Sequence, residues 1–198
     1  DLPQIGLAVS GGPDSLALLL LAHAACPKAI SVATVDHRLR PEAAEEAAFV
    51  AQICADRAIP HVILTPEQPI TGNLQSAARE ARYRLLNAWA DAQGLRWIAT
   101  AHHADDQLET LLMRLNRGSG VSGMAGARAR NGRIVRPLLG WRRQELAAIV
   151  SDAGITAISA PSNADTRFDR VRMRQALDGA DWLDPQAASV TAAAMGDA

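Results

Sequence analysis

Six consecutive residues, Ser10, Gly11, Gly12, Pro13, Asp14 and Ser15, have the make-up of an anion cradle. Two glycines let the backbone approach a phosphate with no Cβ in the way, and they adopt positive φ at little cost. The two serines offer hydroxyl donors, and Asp14 adds a carboxylate. An apolar run, Ile5 to Val9, enters this stretch, and an apolar helical pattern, Leu16 to Ala25, leaves it. Strand, glycine turn and helix start would aim the unpaired N–H groups and positive dipole end of a helix at one anion. The Walker loop is ruled out, because Lys28 is the only lysine, and the turn after the first apolar run is not a G-x-G-x-x-G.

Two further clusters carry chemistry. Asp36 closes the second apolar run, followed by His37, Arg38, Leu39 and Arg40. A carboxylate there can accept from sugar hydroxyls, help hold a metal, or cap the next turn. The densest polar stretch runs from His102 through His103, Asp105, Asp106 and Glu109 to Thr110. On a helix, His102, Asp106 and Glu109 share a face, as do His102 and Asp105. Adjacent histidines lack zinc spacing, whereas carboxylates beside a triphosphate suit Mg2+, with Asp106 and Glu109 as the expected ligands; a charged helix start, with Asp105 and Asp106 near its N-terminus, is the plainer reading. Arg79 and Arg82 are i, i+3 neighbours that could reach a phosphate together or simply face water. Cys26 and Cys54 form no CxxC and lie away from the glycine loop, and no serine-hydrolase elbow is present. Catalysis would therefore rest on positioning and electrostatics, with no covalent enzyme intermediate.

The net charge of −1 hides an asymmetry. Between 114 and 143 stand Arg114, Arg117, Arg128, Arg130, Arg133, Arg136, Arg142 and Arg143, without one Asp or Glu. Arg167, Arg170, Arg172 and Arg174 follow. Such an excess suits a nucleic acid or polyphosphate ligand; a solvated basic surface is the plainer reading.

The elements that must position these groups alternate. Strands are expected over 5–9, 30–35, 61–64 and 97–101, with helices over 14–25, 41–58, 74–93 and 104–117. Asn73 is the expected cap of the third helix. This pattern predicts an α/β fold, a doubly wound parallel sheet with helices on both faces, whose ligands lie beyond the carboxyl ends of the strands. Beyond Arg117 come a glycine-rich pliable loop, a hairpin turning at Asn131-Gly132, and helices over 142–153, 169–177 and 184–198. One domain is expected, with a catalytic part built on the glycine loop over 1–140 and a helical extension over 141–198. Apolar residues make up 48% of the chain, enough for a core, but no run nears the ~18 residues of a membrane span and no signal pattern opens the chain. The expected location is the cytoplasm.

Taken together, AVSGGPDSLAL, VDHRLRPEA, NLQSAAREARYRLL, TAHHADDQLETLLMRLNRGSG, RPLLGWRRQEL and PSNADTRFDRVRMR resemble the tRNA(Ile)-lysidine synthetases, PP-loop enzymes of the N-type ATP pyrophosphatase superfamily. The resemblance implies that ATP adenylates the wobble cytidine of a CAU-anticodon tRNA(Ile), and that free lysine then displaces AMP to give lysidine. It assigns ATP binding to Ser10, Gly11, Gly12, Pro13, Asp14, Ser15, Asp36, His37, Arg79 and Arg82. It makes Asp14, Asp36, Arg82 and Asp106 catalytic, and gives His103 and Asp105 a lysine or nucleotide pocket. Arg114, Arg117, Arg128, Arg130, Arg133, Arg136, Arg170, Arg172 and Arg174 would meet the tRNA. A monomer or homodimer is expected. Ala160-Pro161-Ser162-Asn163 and Arg170-Val171-Arg172 depart from the family's usual Asp-Pro-Ser-Asn and Arg-Asn-Arg. Many members carry further C-terminal domains; a chain of this length is a short form or a catalytic-domain fragment, expected to hold tRNA weakly and with strong salt dependence. The alternatives are another PP-loop enzyme (a tRNA thiolase or an amidating synthetase) or a regulatory domain that holds ATP without splitting it.

Overall fold

Continuous apolar runs become strands here because helices cover the sheet on both faces. The computed structural model describes residues 4–72, 74–158 and 169–197. Strands β1 (Ile5–Ala8), β2 (Ile30–Val35), β3 (His61–Leu64) and β4 (Trp97–Ala99) alternate with helices α1 (Pro13–Ala25), α2 (Glu42–Ala55), α3 (Leu74–Ala92) and α4 (Ala104–Asn116). Then follow α5 (Val121–Met124), β5 (Arg130–Asn131), β6 (Ile134–Val135), α6 (Arg143–Asp152), α7 (Asp169–Leu177) and α8 (Pro185–Asp197). The sheet order is β3-β2-β1-β4-β6-β5. All neighbours pair in parallel except β5, which runs antiparallel to β6. The expected α/β parallel sheet is therefore the observed one, widened by a hairpin.

Two apolar layers hold the sheet. On one side Leu7 and Val32 pack with Leu16 and Leu19 of α1, Val50 of α2, and Leu146 and Val150 of α6. On the other, Ala33, Ile98 and Ile134 meet Leu86, Trp89 and Ala90 of α3. Each buried aliphatic side chain contributes roughly 1.5–3 kcal/mol, so these layers fix the strand ends that carry the site. Beyond the sheet, α6 packs on α1, and α8 on α4 and α5. The strand order turns back between β1 and β4, so the loops after both strands open into one crevice.

Three expectations change. The glycine-rich loop contains the short helix α5. The hairpin turns at Gly132-Arg133, one residue later than expected, because Asn131 still pairs with Ile134. Gly132 has φ 58, which the first position of a two-residue II′ loop demands. β6 also joins β4 in parallel, a pairing its two residues could not announce. Arg133 locks the hairpin to α3, with its guanidinium 2.7 Å from Asp91 and donating to the Asn87 carbonyl at 3.2 Å. Asn73 and the loop holding Ala160 and Arg167 lie outside the described residues.

Candidate active site

The loop after β1 is closed by its own serines. Ser15 Oγ donates to the Gly12 carbonyl at 3.0 Å and accepts from the Ser10 N–H at 3.1 Å. Ser15, expected to face a phosphate, also holds the shape of the turn. Gly11 has φ +86, and a Cβ there would stand 2.8 Å from Ile158 Cδ1. Ile158 also donates its N–H to the Gly11 carbonyl at 3.0 Å, which buttresses the loop from behind. Gly12 is the N-cap of α1 with no side-chain cap, and Pro13 follows at the first helical position. The N-terminal N–H groups of α1 are thereby left for an anion.

Across the crevice, His103 caps α4. Its Nδ1 accepts from the Asp106 N–H at 3.3 Å, while Asp106 accepts from the His103 N–H at 3.1 Å. His103 Nε2 then lies 3.5 Å from one oxygen of Asp14 and 3.5 Å from one of Asp106. Burial alone would lower the His103 pKa, but Asp14 and Asp106 more than offset it and hold the imidazole above its ordinary value. Asp14 Oδ1 is buried without a hydrogen-bond partner. Such an orphaned carboxylate oxygen fits a hard cation. Among the described residues no three His, Cys, Asp or Glu side chains converge as a ready-made metal site. A magnesium ion here would take oxygens from Asp14 and Asp106 and the rest from phosphate and water.

Glu109, the other expected ligand, has a different fate. Its carboxylate is 2% exposed and is held by Arg143 at 2.9 Å, Arg174 at 3.0 Å and Arg170 at 3.6 Å. Three guanidinium groups offset its charge, so Glu109 joins α4, α6 and α7, although its Oε2 is buried without a hydrogen-bond partner. Asp105 likewise caps α6, accepting from the Arg143 N–H at 2.8 Å. Both border a cavity of about 620 Å3 between these helices.

A second cavity, of about 270 Å3, opens beside Ser10 and Gly12 and runs along β2 past Thr34, Val35, His37, Arg40 and Arg82. Both ring nitrogens of His37 are buried without partners, and burial, then Arg82, pushes its pKa down. Arg82 keeps part of its surface open, yet desolvation lowers its pKa as well. Arg79, expected beside it, stacks on Tyr83 at 5.1 Å. Asp36 accepts from the Arg38 N–H at 2.8 Å, and Arg38 takes φ 54 to make that turn.

The arginine tract divides. Arg136 is buried and donates to the Arg128 carbonyl at 2.6 Å, a correction to its expected place on a nucleic-acid face. Arg133 belongs to the hairpin, and Arg114 donates to the Gly123 carbonyl. Arg130 stacks on Trp97 at 4.2 Å. Arg117 and Arg172 pair with Asp169 near the surface. Arg128 is exposed.

The PP-loop domain family matches residues 1–179 of this sequence. The chain belongs to that family. The tRNA(Ile)-lysidine synthase of Novosphingobium aromaticivorans is 48% identical over 98% of this chain and 62% of its own length. That of Zymomonas mobilis is 48% identical over 92% of this chain and 58% of its own. The chain spans about three-fifths of the length of these curated relatives. Among solved structures, the U34-tRNA thiolase NcsA from Methanococcus maripaludis aligns with a TM-score of 0.78 at 14% identity, over 98% of this chain and 70% of its own. The NH3-dependent NAD synthetase of Campylobacter jejuni aligns at 0.51 with 16% identity, over 98% and 83%. At these identities the likeness concerns the fold.

Within the PP-loop frame, the sequence left three contributors unmarked. Ile158 backs the loop, Thr34 lies in the wall of the smaller cavity, and Glu46 holds Arg40 at 3.0 Å beside it. Thr34 had a visible signal, a polar residue near the carboxyl end of the largely apolar run of β2. His103 had one too, since His-x-x-Asp before an apolar helix reads as a capping box.

Proposed function

We propose that the protein uses ATP to activate the wobble cytidine of a CAU-anticodon tRNA(Ile) and joins free lysine to it, forming lysidine with release of pyrophosphate and AMP. The observation that carries this reading is the pairing of a PP-loop with Asp14 and Asp106, which converge on His103 from opposite sides of the crevice. Relatives bearing the tRNA(Ile)-lysidine synthase name at 48% identity support it.

In this scheme the nucleoside lies in the cavity along β2 and the triphosphate on the loop. The cytidine O2 attacks the α-phosphorus, and the bond to the bridging oxygen of pyrophosphate breaks. The N–H groups at the start of α1 stabilise the charge gained by the departing pyrophosphate, with Arg82 at the nucleoside side. Asp14 and Asp106 would hold magnesium, which when bound neutralises polyphosphate charge. Lysine's side-chain amine then attacks C2 of the activated ring, the C2–O bond breaks, and AMP departs. Exposed Arg117, Arg128, Arg130 and Arg172 meet the tRNA backbone. Helices α6 and α8 act as part of the same unit, since α6 is packed on α1 and α8 on α4. A cytoplasmic location accords with the reaction, and among the described residues no helix is long and apolar enough to cross a membrane.

Thiolation is disfavoured by the sulfur chemistry. Cys54 is buried, with its thiol pushed up to about 11, and Cys26 caps the far end of α1, about 20 Å from the loop at 1.5 Å per helical residue. The test is incorporation of labelled lysine into CAU-anticodon tRNA(Ile), with pyrophosphate followed alongside. Equal amounts of both are expected. Pyrophosphate release without lysine transfer would sink the second step.

A further inference from the structure

We infer that Thr34, held by His61, selects adenine in the cavity along β2 by accepting from its exocyclic amine. The inference rests on the reading of that cavity as the ATP site. The triphosphate stays at Ser10–Ser15, so the base is the end of the nucleotide driven deepest. Thr34 stands one residue before the end of β2 and is only 3% exposed. Its neighbours in the wall, Val35, Ala43 and Ala47, are apolar and suit a flat ring. Thr34 is thus the polar side chain of β2 beside these apolar residues, while Glu46 in the same wall is engaged by Arg40 at 3.0 Å.

Its hydroxyl is not a neutral reader of donors and acceptors. Thr34 Oγ1 lies 2.9 Å from His61 Nε2, on the neighbouring strand. In register, His61 pairs with Val32, so its ring reaches Thr34 along the diagonal of the β2–β3 ladder. A hydroxyl has one proton and two lone pairs. With Nε2 unprotonated, Thr34 gives its proton to the imidazole and shows only lone pairs to the cavity. With Nε2 protonated, one lone pair is used and another remains. Either tautomer leaves an acceptor for an amine. A carbonyl oxygen at the same place, as in guanine or hypoxanthine, would face lone pairs whenever the proton is committed to His61. Burial pushes the His61 pKa down, which keeps the ring neutral and able to accept. Thr34 is thereby a specificity-determining residue, and His61 a positioning residue that acts through it.

The measurement is equilibrium binding of ATP, purine riboside triphosphate, which lacks the 6-amino group, and inosine triphosphate, which has a carbonyl there. The native protein should prefer ATP to the deamino analogue by about tenfold, the scale of a lost hydrogen bond in a buried site. Thr34→Val should bring that ratio close to one, and Thr34→Ser should retain it. His61→Phe, which releases the hydroxyl proton, should raise the affinity for inosine triphosphate relative to ATP several-fold. A merely structural role would weaken all three nucleotides alike and leave the ratios untouched. Should Thr34→Val fail to fold, the His61→Phe ratio decides. Native binding of ATP with ratios unchanged in the variants overturns the inference alone. No nucleotide binding by the native protein overturns the ATP reading of the cavity and this inference with it.

Discussion

Asp106 and Glu109 stand one turn apart on α4, and both looked equally suited to a cation. Asp106 was delivered to the mouth of the crevice, where its carboxylate caps its own helix and shares His103 with Asp14. Glu109 was delivered to the interior, where Arg143, Arg170 and Arg174 converge on it from two other helices. The first region sets two carboxylates against one imidazole, with Arg143 and Arg174 acting on it from farther off. The second holds three guanidinium groups around one carboxylate. What a carboxylate does is decided by the charge it is folded against, and helical spacing alone does not report that.

The sharpest way to break this contrast is to remove charge from each side. Asp14→Asn or Asp106→Asn should lower pyrophosphate release by at least about 100-fold, as loss of a charge-positioning group at a phosphoryl site does, with an unchanged urea midpoint. Equal activity in both variants would end the claim that this pair serves the chemistry. Glu109→Gln should do the reverse. Its arginine partners are 31–47% exposed and regain water, so the cost should be about 1–3 kcal/mol of stability, with ATP affinity kept within a few-fold.

The arginine tract sharpens the contrast further. Replacing Arg117, Arg128 and Arg172 with Ala should reduce the salt slope of tRNA binding by about one for each phosphate left without its arginine. Arg136→Ala should leave that slope alone and lower stability, because its donor serves the Arg128 carbonyl.

The smallest effect concerns acid. His102 is pushed down to about 4, by burial first, with Asp106 opposing and Arg136, Arg79 and Arg170 reinforcing. Its unfolded value is near 6.5, so between these limits the unfolded chain binds more protons and stability falls as pH falls. His102→Gln should make that decline shallower, read as urea midpoints from about pH 7 to about 4.5.

Much of the sheet was legible. β2 and β3 begin and end where their apolar runs do, and α7 spans the residues its pattern gives. The loop after β1 was legible because glycine, serine and aspartate at a strand-to-helix corner have few other uses. The misreadings share a cause, which is that they depend on partners distant in sequence. Two residues of β6 carry no period, so only β4 reveals them as a strand. Nothing local distinguishes buried Arg136 from exposed Arg128. Glu109 could not be told from Asp106 until Arg143 and Arg174 were brought across from other helices. The turn at Gly132-Arg133 differed by one residue because register, set by pairing, outranks the local Asn-Gly preference.

The bond from Ile158 to Gly11 spans most of the chain. On a ribosome, β1 and its glycine loop emerge early and α6 much later. Until Ile155–Ile158 has left the exit tunnel, Gly11 has only Val50 of α2 behind it and lacks the hydrogen bond that braces the loop. A chain that stalls before α6 therefore presents the glycine loop without this brace. The same bond couples a later-made part of the domain to its first strand and loop, so the order of synthesis sets when the corner after β1 is braced from behind.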